Sequence, residues 1–385
     1  MLCVGIILII FNANEASNKH MSYSPSFWEQ DSFLQPYDLI IVGAGIVGLS
    51  TALFYKQKHP EARVTVLERG VLPTGASTRN AGFACVGSIG EHLADLEKES
   101  EQNIKNRIQR RYHGLELLKD TLGEGAIGYE HCGGYEFFRS EEAFGKVAPE
   151  IDRFNGWMQE LVGEEAVYQA DELAGYPVIG NRLEGALHPG KMMQQLVHKV
   201  MAAGIDLKWN CEVRETATDG SVTLVDGTTF SAKKVVHAAN GFVQQLLPQV
   251  EVKPARGFVL VTDEQEELPW EGIFHHDKGY IYFRNVGRRL LIGGARNLDK
   301  EGEQTDQFGT NAAIKNHLVN FVSDVLHLPK GWAIEHQWSG IMGFTPTKTP
   351  IIEQVDDRRF VAAGLSGMGI AIGMEVGRST AKMIH

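Results

Sequence analysis

The segment Tyr37–Glu68 constrains the fold more than any other part of the chain. Tyr37–Val42 (YDLIIV) is a short run rich in Ile and Val, which reads as a strand buried in a parallel sheet. It enters Gly43-Ala44-Gly45-Ile46-Val47-Gly48. Leu49–Lys58 then has helical spacing, with Leu49, Ala52, Leu53 and Tyr55 available to one face. Arg63–Leu67 is a second strand, ending at Glu68. A G-x-G-x-x-G turn is a weak signal alone. Here a strand precedes it, a helix follows, and an acid lies twenty residues beyond the third glycine. Gly43 permits the tight turn, Gly45 the approach of a pyrophosphate, and Gly48 close packing of helix on strand. The helix start offers unpaired N–H groups to phosphate, and Glu68 can accept hydrogen bonds from ribose hydroxyls. The unit predicts a bound dinucleotide.

The remaining composition narrows the class. The chain has 385 residues, 43% hydrophobic and 22% charged, an ordinary globular balance for two domains or one composite domain. A net charge of −11 repels phosphate backbones and anionic lipid, so neither nucleic acid nor membrane is expected as a partner. Cys3, Cys85, Cys132 and Cys211 are far apart, without the spacing of a zinc or dithiol site. They read as reduced thiols of a cytoplasmic protein. No HExxH or carboxylate–histidine cluster is visible, and no metal is expected. Met1–Phe11 is apolar but shorter than the roughly 20 residues of a spanning helix. Met21 is the expected start, with residues 1–20 an upstream extension and a weak membrane anchor the alternative, followed by a polar lead-in from Ser22 to Gln35.

Two further segments distinguish FAD from NAD. Gly75-Ala76-Ser77-Thr78-Arg79-Asn80-Ala81-Gly82 combines small residues with a cation, suited to a pyrophosphate and a flavin edge. Gly364-Leu365-Ser366-Gly367-Met368-Gly369 stands between the strand Phe360–Ala363 and a helix from Ile370 to Met383. It brings a second helix start into the same domain, a partner for negative charge on a reduced flavin. An NAD-dependent dehydrogenase needs no such element, but it remains the alternative, as does a flavoprotein acting on an aminomethyl group of RNA.

Between these segments, residues 91–122 read as one or two long helices and 191–203 as a helix. Val222–Leu224 and Thr228–Phe230 form a hairpin, and Lys234–Ala238 is a separate buried strand. Gly257–Thr262, Gly279–Arg284 and Arg289–Gly293 alternate as antiparallel strands do. His275 and His276 read as a solvated loop pair, and His237 as a packed core histidine. Trp338 fits either the core or a pocket wall.

In its motifs the chain resembles the FAD-dependent amine and amino-acid oxidoreductases of the D-amino-acid oxidase family, which includes glycine and sarcosine oxidases. The resemblance rests on YDLIIVGAGIVGLSTAL, VLERG, GASTRNAG, KKVVHAANG, PARGFVLVT, GYIYFR, WSGIMGFTPTKTPII and GLSGMGIA, in that order. It implies an α/β fold: a Rossmann-like FAD-binding domain of glutathione-reductase type with an interleaved antiparallel α+β substrate domain. The expected division is 1–35 as lead-in, 36–90, 185–250 and 335–385 as the FAD-binding domain, and 91–184 with 251–334 as the substrate domain. Carried over by motif, Gly43, Gly45, Ile46, Val47 and Gly48 hold the pyrophosphate and Glu68 with Arg69 the adenosine. Ser77, Thr78, Arg79, Asn80, Ala81 and Gly82 line the flavin, and the backbone of Val213 reaches the adenine. Ala239 and Gly241 flank the diphosphate, while Gly367, Met368, Gly369 and Ile370 face the pyrimidine edge. GASTRNAG and GFTPTKTP lack the Cys or His of the covalently flavinylated relatives, so noncovalent FAD is expected.

The implied reaction is oxidation of the C–N bond of a small amine or amino acid by hydride transfer to flavin N5, giving an imine that hydrolyses. Tyr280 and Tyr282 share a parity and so a face, which the family turns toward the substrate. Relatives acting on free amino acids often carry Arg in Trp-x-Gly-x-Arg. Here Trp338-Ser339-Gly340-Ile341-Met342 puts Met342 in its place. Either the substrate lacks an α-carboxylate or another cation replaces the clamp. Arg284 is the expected replacement, and Arg256 the next.

Overall fold

The computed structural model describes residues 24–385. The expectations for residues 1–20 and for Met21 as start lie outside the described residues. The chain divides into two units, Met1–Gln35 and Pro36–His385. In the described part of the first, the expected polar lead-in forms a short helix, Phe27–Ser32. It is closed by a reciprocal cap: Ser26 Oγ accepts from Glu29 N–H, and the Glu29 carboxylate accepts from Ser26 N–H.

The second unit holds two eight-stranded sheets. The first runs in the order Ile351–Gln354, Arg359–Ala363, Thr229–His237, Tyr37–Val42, Val64–Leu67, Asp206–Lys208. Its central pairings are parallel, with Ile41 opposite Val236 on one side and Val66 on the other. Ile351–Gln354 closes one edge antiparallel, and the hairpin Val213–Thr216/Ser221–Leu224 extends from Thr229–His237. The predicted break between Phe230 and Lys234 does not occur. Thr229–His237 is one strand whose first half pairs with the hairpin and whose second half enters the sheet core.

Helices Ile46–Lys58 and Gly369–Met383 pack against each other unusually closely. A Cβ on Gly373 would come within 2.5 Å of Ile46 Cγ2, and one on Gly377 within 2.5 Å of Ser50 Cβ. Only hydrogen at these two positions permits that approach.

The second sheet runs Ile334–Phe344, Lys253–Thr262, Arg289–Gly294, Ile281–Val286, Ile273–His276, Gly134–Phe137, Tyr176–Asn181, Tyr168–Leu173. It is antiparallel except for the pair Ile273–His276/Gly134–Phe137. One face carries Phe137, Phe274 and Phe283 into a core closed by the helix Ala312–Asp324. Residues 335–344 lie in this sheet, not with the parallel strands where the sequence grouping placed them. The helix or pair of helices expected over 91–122 is the pair Ile89–Leu96 and Glu101–Leu122. Among the described residues no helix is long and apolar enough to cross a membrane.

Candidate active site

A cavity of about 570 Å³ runs from Glu68, at the end of a parallel strand, to Tyr280 and Tyr282 on the antiparallel sheet. At its nucleotide end the three glycines do three different things. Gly43 has φ +106°, a conformation glycine adopts freely. A Cβ on Gly48 would sit 2.0 Å from Gly43 O and 3.2 Å from Ile41 Cγ2, so this glycine lets helix and strand meet. A Cβ on Gly45 would meet only Ser77 Oγ, at 3.2 Å. Elsewhere it would project into the cavity. Glu68 is buried, its two carboxylate oxygens accepting from Ala44 N–H and Gly70 N–H, both at 3.0 Å. Ser77 Oγ accepts from Ile46 N–H (2.9 Å) at the helix start. Arg69 stacks on Phe242 at 4.0 Å.

The second helix start also reaches the cavity. Ser366 (φ 49°) and Gly367 (φ 87°) turn the chain so that Gly369, Ile370 and Ala371 line it. Asn240, which the sequence did not single out, fixes this loop: its Oδ1 accepts from Gly364 N–H (3.0 Å) and Leu365 N–H (3.5 Å). The conjunction of two helix starts, a buried carboxylate and a glycine-lined channel fits a flavin dinucleotide.

Of the expected cofactor residues, Gly43, Gly45, Ile46, Val47, Glu68, Arg69, Ser77, Arg79, Asn80, Ala81, Val213, Ala239, Gly367, Met368, Gly369 and Ile370 line the cavity. Gly48, Thr78, Gly82 and Gly241 do not. Thr78 Oγ1 donates to Pro73 O and Gly75 O, and a Cβ on Gly82 would strike Leu187 O at 2.2 Å. A Cβ on Gly241 would lie 2.6 Å from Met342 O. These four shape the wall from behind. Arg79 reaches the cavity, but its guanidinium is engaged, donating to Thr74 O and Ser339 O. Trp338 is in neither of its expected extremes. It packs beside Ala81 and Val259 and donates to Arg79 O at 2.9 Å.

The family match now decides the class. The model of the family described as FAD dependent oxidoreductase matches residues 38–383. The chain belongs to that family. FAD is its cofactor, and it is an FAD-dependent oxidoreductase. It is 27% identical over 357 residues to the sarcosine oxidase subunit beta of an Arthrobacter species, covering 86% of this chain and 82% of that one. It is 23% identical over 326 residues to the bifunctional protein ThiO/ThiG of Synechocystis, covering 82% of this chain but only 46% of that one. The chain therefore spans less than half the length of that relative. Among solved structures, glycine oxidase from Geobacillus kaustophilus superposes with a TM-score of 0.72 at 21% identity, over 91% of this chain and 94% of that one. L-proline dehydrogenase from P. horikoshii does so with 0.72 at 16%, over 91% and 93%. These likenesses carry the fold.

At the far end of the cavity, Tyr280, Tyr282 and Met342 line the wall. Burial pushes the Tyr282 hydroxyl up to about 12, so it stays protonated. Arg284 does not line the cavity. It is buried behind the loop and donates to Gly82 O at 3.3 Å. Arg256 is no substitute, since it is paired with the buried carboxylate of Glu303 (2.8 Å). Among the cations that line the cavity is Arg296, which sequence reasoning missed. It follows the turn at Ala295 (φ 56°) after the strand Arg289–Gly294, and its guanidinium lies over the Phe344 ring at 4.6 Å. The only sequence signal was a cation two residues past a Gly-Gly strand end.

His275 also departs from expectation. It sits on the strand Ile273–His276, its ring edge-on to Phe83 at 5.3 Å, and it lines the cavity with Cys85. Its Nε2 lies 3.3 Å from Glu184 Oε2. Burial opposes its charge, but hydrogen bonds to Cys85 and Glu184 hold its pKa above the usual range. His276 is half-buried and bonds Phe137 O at 2.9 Å. Their strand is paired on both sides in the second sheet, so both are part-buried instead of lying in a solvated loop. His237 is buried as expected, between Thr216 Oγ1 (2.9 Å) and Phe360 O (3.0 Å).

Proposed function

We propose that this protein oxidises the C–N bond of a small amine or amino acid, with noncovalent FAD as the hydride acceptor. The observation that carries this reading is the far end of the cavity. There an apolar wall of Phe83, Val259, Tyr282 and Met342 adjoins Arg296, a part-buried guanidinium with no ion pair to a carboxylate among the described residues. Such a wall excludes water and favours a neutral amine over an ammonium ion, and the neutral amine has the lone pair that assists hydride loss. Arg296 can bind a substrate carboxylate bidentately, the role first assigned to Arg284. Tyr282, kept protonated by burial, can donate a hydrogen bond but cannot act as a base at neutral pH. Tyr280 and Met342 supply surface that holds the substrate C–H in line. The imine released into water hydrolyses to a carbonyl compound and an amine or ammonia. The names of relatives such as sarcosine oxidase, glycine oxidase and gamma-glutamylputrescine oxidoreductase favour the same substrate class.

The test is anaerobic mixing of the yellow protein with an amino acid, its decarboxylated amine and the matching 2-hydroxy acid, following flavin bleaching. Bleaching by amine or amino acid supports the reading. Bleaching by the hydroxy acid alone overturns it.

A further inference from the structure

Cys85, Glu184 and His275 are separated by 99 and 91 positions, yet one ligand atom from each lies within 4.8 Å of the others. We propose that they form a binding site for a zinc-class divalent ion in the wall of the cavity. This stands independently of the reaction proposed above.

Four observations carry it. The His275 Nε2 to Glu184 Oε2 separation, 3.3 Å, is that of two donors on one tetrahedral ion, which roughly 2.0–2.1 Å bonds place about 3.3–3.4 Å apart. Closing the set requires the Cys85 sulfur to move in by at most about 1.3 Å. The donors also balance: a thiolate and a carboxylate neutralise a doubly charged ion beside a neutral imidazole, so no net charge is buried. The carboxylate is held from behind, since Glu184 Oε1 accepts from Val86 N–H and Gly87 N–H, each at 2.9 Å. Such outer hydrogen bonds orient metal ligands. Finally, the sheet makes room for it: a Cβ on Gly134 would lie 2.1 Å from Glu184 Oε2. Cys85 and His275 also line the cavity, so a tetrahedral ion would keep its fourth position for a ligand arriving from there. A thiolate in the set selects zinc or cobalt over magnesium or calcium.

The test uses the FAD-loaded protein, stripped with a chelator and titrated with Co²⁺ and Zn²⁺. Metal content is read by elemental mass spectrometry and cobalt by its ligand-field bands at wavelengths beyond oxidised flavin. One equivalent of tetrahedral cobalt, displaced by zinc, is expected. Cys85→Ser should lower affinity at least about tenfold and remove the thiolate charge-transfer band, while Cys211→Ser should change neither. Circular dichroism and flavin content confirm that each variant is folded. Wild type that binds no stoichiometric cobalt overturns the site, as does equal binding by folded Cys85→Ser. If Cys85→Ser does not fold, His275→Gln carries the same comparison.

Discussion

At its nucleotide end the cavity is walled largely by backbone: the Gly43–Gly48 turn, the loop before Gly369, and the peptide N–H groups fixed by Glu68 and Asn240. At its far end it is walled by side chains from distant segments, among them Phe83, His275, Tyr282, Arg296 and Met342. A backbone wall tolerates little substitution, because a carbon added at Gly48 strikes the Gly43 peptide and one added at Gly45 takes space from the cofactor. A side-chain wall can be rewritten one residue at a time while the sheet behind it stays the same. The first arrangement suits a fixed cofactor, and the second a substrate that differs among relatives.

The sharpest way to break this contrast is at the glycines. Gly48→Val should destabilise the fold by about 4 kcal/mol or more, because its Cβ has no space beside Gly43 O. Gly45→Val should fold and fail to retain FAD. Circular dichroism and the flavin-to-protein ratio separate the two. A Gly45→Val protein with stoichiometric flavin would remove the argument for the phosphate loop.

Behind the nucleotide end, His237 is a buried histidine whose pKa burial lowers to about 4. Arg359 adds to the lowering, while the Phe360 carbonyl and Asp356 oppose it. A depressed pKa means that the unfolded chain binds the proton first. The stabilisation is therefore full above about 6.5 and is lost as pH falls through about 4, amounting to roughly 3 kcal/mol. Thermal unfolding between these limits should fall more steeply in wild type than in His237→Gln. Parallel profiles would show that the histidine protonates without cost.

At the far end, Arg296→Met should leave folding and flavin content intact while weakening an amino acid about 10- to 150-fold relative to its decarboxylated amine. Arg284→Met should not shift that preference. An unchanged preference in Arg296→Met would mean that the side-chain wall does not read the carboxylate. The smallest expected effect is that of Asn240→Ala. It leaves Gly364 N–H and Leu365 N–H without their acceptor and should weaken FAD binding by about 1 kcal/mol, roughly fivefold, measured by flavin fluorescence.

The same contrast explains what could be read from the sequence. The strand, turn, helix and acid from Tyr37 to Glu68 are contiguous, and each glycine there has a local cause. The Ser77 and Gly367 segments follow the same logic. Arg284 and Arg296 are both cations near the ends of adjacent strands, and only the twist of the sheet and the turn at Ala295 decide which faces the cavity. Glu184 and His275 could not be paired by spacing, since the sheet register that joins Gly134 to Ile273 and to Asn181 sets their approach. His275 and His276 read locally as solvated, because the pairing of their strand on both sides is invisible in the sequence around them.

The close crossing of Gly373 and Gly377 over the Ile46–Lys58 helix has a consequence for how the molecule is made. The helix that covers the apolar face of the strand-turn-helix unit is synthesised more than three hundred residues after it, tens of seconds later at ordinary translation rates of about 5–20 residues per second. Until then the cavity lacks its second helix start and the nascent chain exposes Ile46 and Val47. FAD capture thus follows synthesis of the Gly369–Met383 helix, and a polypeptide truncated before Gly369 should emerge colourless and prone to aggregate.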